Sequence, residues 1–165
     1  MTHPTWQLSV DEGALILTPC PGTKEASLQE SLEQLKAQGV QAIVTALDYS
    51  ELAEKNVLQL GSLTKELGMQ WFQIEIEDDC APNDNFAAKW QVASPALHEI
   101  VNQGGKVAMH CMGGSGRTGL LAAHLLLERE WALDEIISQV QALRPGAFTK
   151  PIQVTYIEQV AQGES

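Results

Sequence analysis

The clearest indication of how this chain folds comes from residues 107–119, which read Val107-Ala108-Met109-His110-Cys111-Met112-Gly113-Gly114-Ser115-Gly116-Arg117-Thr118-Gly119. The first four residues of this stretch predict a short buried strand. The run Gly119–Glu130 is apolar on nearly every side, which predicts a buried central helix. A buried strand that leads through a glycine-rich loop into a buried helix is typical of an α/β protein.

The rest of the chain alternates between strand-like and helix-like apolar segments. We therefore expect an α/β fold with a central, mostly parallel sheet flanked by helices. The predicted strands are Leu8–Val10, Ala14–Leu17, Ala42–Ala46, Trp71–Ile76 and Val107–His110, the first two forming a hairpin around Asp11-Glu12-Gly13. The predicted helices are one that runs from the capping box Ser27-Leu28-Gln29-Glu30 to Gly39, then Leu58–Leu67, Phe86–Asn102 with a break or kink at Pro95, Gly119–Glu130, Asp134–Leu143 and Ile152–Val160.

Length and composition limit the possible functions. Because the chain has 165 residues, we expect one domain over residues 1–165 with a single hydrophobic core. Acidic residues outnumber basic ones 21 to 10, and a net charge of −11 argues against nucleic acid or anionic membranes as partners. The three cysteines, Cys20, Cys80 and Cys111, include no CxxC pair, which argues against a disulfide framework and a zinc site. No signal-peptide pattern is visible, so we expect a cytoplasmic protein without a metal.

The loop between the predicted strand and helix has the composition of a phosphate-binding cradle. A tight loop on a helix N-terminus points successive backbone N–H groups into one concavity. Arg117 adds a planar fork that can hold two phosphate oxygens. Cys111 at the mouth is expected to be a thiolate nucleophile, and Thr118 can donate its hydroxyl to the sulfur. The predicted phosphate-binding residues are Met112, Gly113, Gly114, Ser115, Gly116 and Arg117.

Two other interpretations of the same loop need to be weighed. The string Gly114–Gly119 matches the GxGxxG pattern of dinucleotide-binding proteins. However, the acidic pair Asp134-Glu135 lies at a predicted helix start, whereas the ribose contact requires a strand end. A structural interpretation treats Cys111 as a small buried hydrophobe and the glycines as turn residues. The complete string, with His110 before the cysteine and Arg117-Thr118 after it, argues against both.

The string from His110 to Gly119 resembles the signature of the protein tyrosine and dual-specificity phosphatases, which is His-Cys, five residues, Arg, and then Ser or Thr. Further similarity, over roughly residues 15–160, is to the cyclin-dependent-kinase-associated phosphatase group. It lies in Pro19–Thr23 and the helix after it, Gly39–Val44, Trp90, Pro95 and Arg144–Gln153. The resemblance implies the cysteine-phosphatase fold of the dual-specificity type.

The resemblance also implies roles outside the cradle. The family takes a general acid from a loop ahead of the cysteine, four residues before a proline, and that register selects Asp78. Asp79 is adjacent and chemically equal, and it stands where the family often has glycine. Gln153 matches the family glutamine that orients water in the second step. His110 is expected to steady the loop and tune the thiol, and Arg144 to make a structural contact to the loop.

Together these patterns predict a cofactor-free, cysteine-dependent phosphomonoester hydrolase that forms a cysteinyl-phosphate intermediate. Met112 and Ser115 stand where lysine would be expected in an enzyme acting on phosphoinositides or RNA, so a phosphoprotein or a small phosphomonoester is favoured. Two alternatives stay open: a non-catalytic phosphopeptide-binding module, and other thiolate chemistry like that of rhodaneses or arsenate reductases. The sequence does not indicate an oligomeric state, nor a preference between phosphotyrosine and phosphoserine or phosphothreonine.

Overall fold

A computed structural model describes residues 2–163. The strands are β1 (Trp6–Val10), β2 (Gly13–Thr18), β3 (Val40–Thr45), β4 (Gln70–Gln73) and β5 (Lys106–His110). The helices are α1 (Leu28–Ala37), α2 (Tyr49–Glu54), α3 (Leu60–Glu66), α4 (Asp84–Asn102), α5 (Gly116–Glu128), α6 (Leu133–Leu143) and α7 (Pro151–Ala161). Within the described part of the chain, no helix is long and apolar enough to cross a lipid bilayer.

These strands form a sheet in the order β1-β2-β5-β3-β4. Strands β2, β5, β3 and β4 are parallel, while β1 pairs antiparallel with β2 in the predicted hairpin. The α/β fold with a mostly parallel sheet is therefore confirmed. At the end of the central strand β5, His110 lies in register with Thr18 of β2 and Thr45 of β3. The loop that follows β5 thus leaves from the middle of the carboxyl edge of the sheet.

Helices cover both faces of the sheet. Because side chains alternate along a strand, Val107 and Met109 of β5 pack into the larger core, whereas Ala108 packs into a smaller one. The smaller core joins the sheet to α1 through Leu32 and Leu35. Helix α5 belongs to the larger core and buries nine of its 13 residues, in agreement with the apolar pattern predicted for it.

The first helix begins at the predicted capping signal, whereas the break that was one of the two outcomes expected at Pro95 is absent. The capping box is present: the Ser27 hydroxyl accepts from the Glu30 N–H at 3.1 Å, and the Glu30 carboxylate accepts from the Ser27 N–H at 3.0 Å. Helix α4 runs unbroken through Pro95. Proline removes the hydrogen bond to the carbonyl four residues earlier, and here both Pro95 and Gln91 are exposed, so water can replace that bond.

Two elements near the loop differ from their predictions. Helix α2 was missed because its six residues are too few to show a helical period, although Asp48 and Glu51 form a capping box at its start. Strand β4 ends at Gln73, before the predicted Ile76. The N–H groups of Ile74 and Ile76 still donate to carbonyls at and just beyond the end of β3, at 2.8 and 2.9 Å. The chain therefore stays paired with β3 and the residue after it as far as Ile76.

Two histidines, His3 and His110, are fully buried in the folded chain, and a third, His124, is partly buried. Burial lowers the pKa of His110 to about 4 and that of His124 to about 4, and it also lowers the pKa of His3. Their neutral rings are hydrogen-bonded; His124, for example, lies 2.6 Å from the hydroxyl of Tyr156. The folded protein therefore needs these rings uncharged.

We predict that acidification destabilises the fold through these histidines. The unfolded chain binds more protons than the folded one between the ordinary histidine pKa of 6.5 and the depressed value of about 4. Stability is complete above that window and is lost as the pH falls through it, by up to about 3 kcal/mol for each fully shifted histidine. Urea unfolding at several pH values measures this loss. His124→Phe should flatten the slope by about one proton, and an unchanged slope would contradict the assignment.

Candidate active site

The loop between β5 and α5 wraps around a cavity of about 220 Å³. Most of the predicted phosphate-binding residues line it, together with Asp78, Asp79, Lys150 and Gln153. Gly114 is the exception and lies behind the cavity. Its φ is +82°, and a Cβ there would lie 2.6 Å from the carbonyl carbon of Thr18. Gly114 is therefore needed for a close turn against β2.

Four consecutive carbonyls of the loop are hydrogen-bonded on its outer side. That of Cys111 accepts from the His110 ring at 3.0 Å, and that of Met112 accepts from the Cys20 N–H at 3.0 Å. The guanidinium of Arg144 donates to the next two carbonyls, those of residues 113 and 114, at 2.7 and 3.0 Å. Because the N–H of a peptide unit points opposite to its C=O, these bonds turn the loop amides toward the cavity.

His110 and Arg144 are themselves held in place. The neutral His110 ring must carry its proton on Nδ1, because a carbonyl can only accept, and so Nε2 accepts from the Thr45 hydroxyl at 2.7 Å. That hydroxyl in turn accepts from Trp71 Nε1 at 2.8 Å. The Arg144 guanidinium lies 3.8 Å above the ring of Trp6. The cradle is thus held in place by residues of β3 and β4 on one side and of β1 on the other.

Cys111 sits at the floor of the cavity, only 4% exposed. Its sulfur accepts a hydrogen bond from the Thr118 hydroxyl at 3.1 Å. Ser115 is the N-cap of α5 and makes no side-chain capping bond, so the first-turn N–H groups stay available to an anion in the cavity. A thiolate and an oxyanion in this position both benefit from the helix N-terminus.

Arg117 is 3% exposed and is anchored from behind. Its Nη1 donates to both carboxylate oxygens of Glu51, at 3.0 and 2.9 Å, and to the carbonyl of Ile76 at 3.1 Å. Its Nη2 lies 3.6 Å from the carboxylate of Asp78. With Nη1 fully engaged, Nε and Nη2 remain to contact an anion above Cys111.

A loop over the cavity brings in the predicted acid and contacts the start of α7. We call residues 77–83 the acid loop. The two adjacent aspartates diverge: Asp78 is directed to Arg117, while Asp79 pairs with Lys150 at 3.1 Å. The Gln153 amide donates to the carbonyl of Cys80 at 3.1 Å. Gln153 is 2% exposed, so it is not a surface residue of its helix.

Sequence reasoning missed Glu51 and Lys150. The spacing of Asp48 and Glu51 could have revealed a capping box, but not the contact of Glu51 with a side chain 66 positions away. The loop from Cys111 to Arg117 contains no lysine. Lys150, however, lines the same cavity from the start of α7. Among residues 2–163, no three His, Cys, Asp or Glu side chains converge in a way that could hold a metal ion.

A mostly parallel sheet whose central strand leads through a loop beginning with cysteine into a helix N-terminus is the fold of the dual-specificity phosphatase type. Within that class, the chain belongs to the family described as dual specificity phosphatase, catalytic domain, whose model matches residues 24–162. The resemblance to the dual-specificity phosphatases is therefore confirmed.

Similar proteins place the chain near the kinase-associated group. It is 30% identical to cyclin-dependent kinase inhibitor 3 of Rattus norvegicus over 131 residues, which are 77% of this chain and 58% of the relative. It is 28% identical to tyrosine-protein phosphatase CDC14 of Candida albicans over 130 residues, which are 76% of this chain but only 21% of the relative. The crystal structure of kinase associated phosphatase with its catalytic-site cysteine replaced by serine superposes with a TM-score of 0.86, at 25% identity, covering 99% of this chain and 96% of that one. The chain thus spans less than two thirds of these curated relatives.

We predict that Glu51→Gln destabilises the phosphate-free protein by roughly 2 kcal/mol, because Arg117 is left buried without a full counter-charge. Glutamine at this position keeps the capping box, so helix α2 should be retained. Inorganic phosphate supplies the missing negative charge, and its binding should therefore raise the melting temperature of the variant more than that of the wild type.

Thermal unfolding with and without phosphate measures both effects. Glu54→Gln is the matched control, since it removes a charge from an exposed residue of the same helix. An equal gain from phosphate in Glu51→Gln and wild type would contradict this account of Arg117.

Proposed function

We propose that this member of the dual-specificity phosphatase family hydrolyses phosphomonoesters of proteins through a cysteinyl-phosphate intermediate. One observation carries the proposal: the sulfur of Cys111, the guanidinium of Arg117 and the carboxylate of Asp78 face the same cavity of about 220 Å³. Nucleophile, cation and acid therefore surround the place where a phosphate group would bind.

In the first step, the Cys111 thiolate attacks phosphorus. The S–P bond forms as the bond from phosphorus to the leaving oxygen breaks, and Asp78 transfers its proton to that oxygen. Arg117 and the loop amides stabilise the equatorial oxygens. Their geometry supports this role, because carbonyl bonds on the outer side of the loop orient those amides before any ligand binds.

In the second step, water attacks the cysteinyl-phosphate. Its proton passes to Asp78, the P–O bond forms, and the S–P bond breaks with Thr118 donating to the departing sulfur at the distance of 3.1 Å seen in the free protein. Gln153 orients the water. Its amide NH₂ is engaged by Cys80, whereas its Oε1 is buried without a hydrogen-bond partner among the described residues and is available as an acceptor.

The choice of Asp78 as the acid has support from the two ion pairs. Asp78 lies 3.6 Å from Arg117, beside the cavity, while Asp79 is occupied by Lys150. A phosphoprotein substrate is supported by the relatives, which are named as tyrosine-protein and dual specificity protein phosphatases. The net charge of −11 and the absence of lysine from the cradle also disfavour polyanions such as phosphoinositides.

We predict that Cys111→Ser lowers hydrolysis by at least about 1,000-fold, because a serine hydroxyl is not ionised in this site. The measurement is phosphate release from an aryl phosphate, from phosphotyrosyl and phosphothreonyl peptides, and from a phosphoinositide, which we expect to be the poorest substrate. Cys20→Ala is the control thiol, since burial raises the pKa of Cys20 to about 12 and leaves it protonated. Tight phosphopeptide binding by a wild type that releases no phosphate would indicate a binding module instead.

We predict that Asp78→Asn slows hydrolysis of an alkyl phosphate by about 100-fold or more, and of an aryl phosphate much less. A poor leaving group needs the proton, whereas a phenolate with a low pKa leaves without it. The comparison of kcat for the two substrates measures the difference. Asp84→Asn, at the exposed start of α4, is the control, and an equal or larger effect from Asp79→Asn would assign the acid to Asp79.

A further inference from the structure

A surface ion pair crosses the mouth of the cavity. The Nζ of Lys150 lies 3.1 Å from the carboxylate of Asp79, and both side chains line the cavity that contains Cys111. Lys150 is the residue just before α7, and its side chain makes no capping bond to that helix. The pair therefore joins the acid loop to the start of α7 without serving the helix itself.

A second contact joins the same two segments. The Gln153 amide, in the first turn of α7, donates to the carbonyl of Cys80, and the N–H of Cys80 donates to the carbonyl of Glu77 at 3.1 Å. Asp79, inside this turn, has a φ of +61°. Residues other than glycine rarely adopt this left-handed backbone conformation. Contacts that Asp79 makes with other parts of the chain must therefore help to hold its backbone.

We propose that Lys150 and Asp79 are positioning residues that hold the acid loop closed over the cavity. The inference rests on the proposed hydrolase function and names what keeps its acid in place. With the loop against α7, Asp78 stays near Arg117. The carbonyl of Cys80 also fixes the amide of Gln153, so that its oxygen rather than its NH₂ is free.

The contact between the acid loop and α7 thus positions Asp78 for the first step of hydrolysis and Gln153 for the second. If the loop moved away from α7, Asp78 would leave the cavity and Gln153 would lose the acceptor that orients it. The ion pair is exposed, with side chains 52% and 65% accessible, so its strength is modest and depends on salt. We expect its loss to slow turnover by about two- to fivefold rather than to abolish it.

The test compares Lys150→Met, Asp79→Asn and the double variant, using an alkyl phosphate. Asparagine tolerates the left-handed backbone, so Asp79→Asn removes the charge alone. Each single variant should lower kcat by about two- to fivefold with KM nearly unchanged, and the double variant should be no slower than either, because both remove one interaction. Lys150→Arg should restore kcat. Lys36→Met, which changes an exposed lysine in the last turn of α1 outside the cavity lining, controls for the change in net charge.

Salt and hydrogen exchange give two further measurements. Raising the salt concentration should slow the wild type toward the rate of Lys150→Met and leave that variant unaffected. Backbone amides of residues 77–83 should exchange faster in Lys150→Met, with the melting temperature unchanged. A raised KM with unchanged kcat would show instead that Lys150 contacts the substrate, and this would overturn the proposal.

Failure of the two proposals can be told apart. If the wild type shows no hydrolysis that depends on Cys111, the proposed function fails, and hydrogen exchange alone then decides whether the pair holds the loop. If the wild type is active but both single variants match it in kcat and in exchange, the positioning role is overturned while the hydrolase function stands.

Discussion

The burial of one guanidinium is the constraint on which the rest of the site depends. Arg117 is 3% exposed, and a buried charge left without partners destabilises a protein by several kcal/mol. Its partners come from distant parts of the chain: the carboxylate of Glu51 on α2 and the carbonyl of Ile76 after β4. Helix α2, the end of β4 and the start of α5 must therefore meet at one point, and that meeting places the cavity.

Hydrogen bonds on the outer side of the loop fix the conformation of the cradle without any bound ligand. Carbonyls of residues 111–114 accept bonds from His110, Cys20 and Arg144. A loop whose donors are already oriented loses little free energy in reorganisation when charge develops on a bound oxyanion. Burial keeps the His110 ring neutral, and in that form its Nδ1–H donates to the loop while its Nε2 accepts from Thr45. The orientation of the loop amides thus depends on hydrogen bonds that also hold the loop to the rest of the fold.

The sequence predicted the fold class, the strand–loop–helix unit and the contents of the cradle, because these are patterns of neighbouring residues. Its expectations were weaker where short elements or solvent decide the outcome. Helix α2 is too short to show a helical period, and Pro95 does not break α4 because its side of that helix faces water. Asp78 and Gln153 were predicted from their alignment with the phosphatase pattern. Both line the cavity in the structure.

By itself, the amino-acid sequence determined that a cysteine, an arginine and several glycines would lie in one loop at a helix N-terminus, since the whole pattern spans ten consecutive positions. Only the tertiary structure decided what lies behind and above that loop. Glu51 is 66 residues from Arg117, and Arg144 is 30 residues from Gly114. Likewise, Asp79 meets Lys150 only because the acid loop folds onto α7. Contacts of this kind carry no local signature, because they depend on how the helices pack around the sheet and not on which residues are neighbours in the chain.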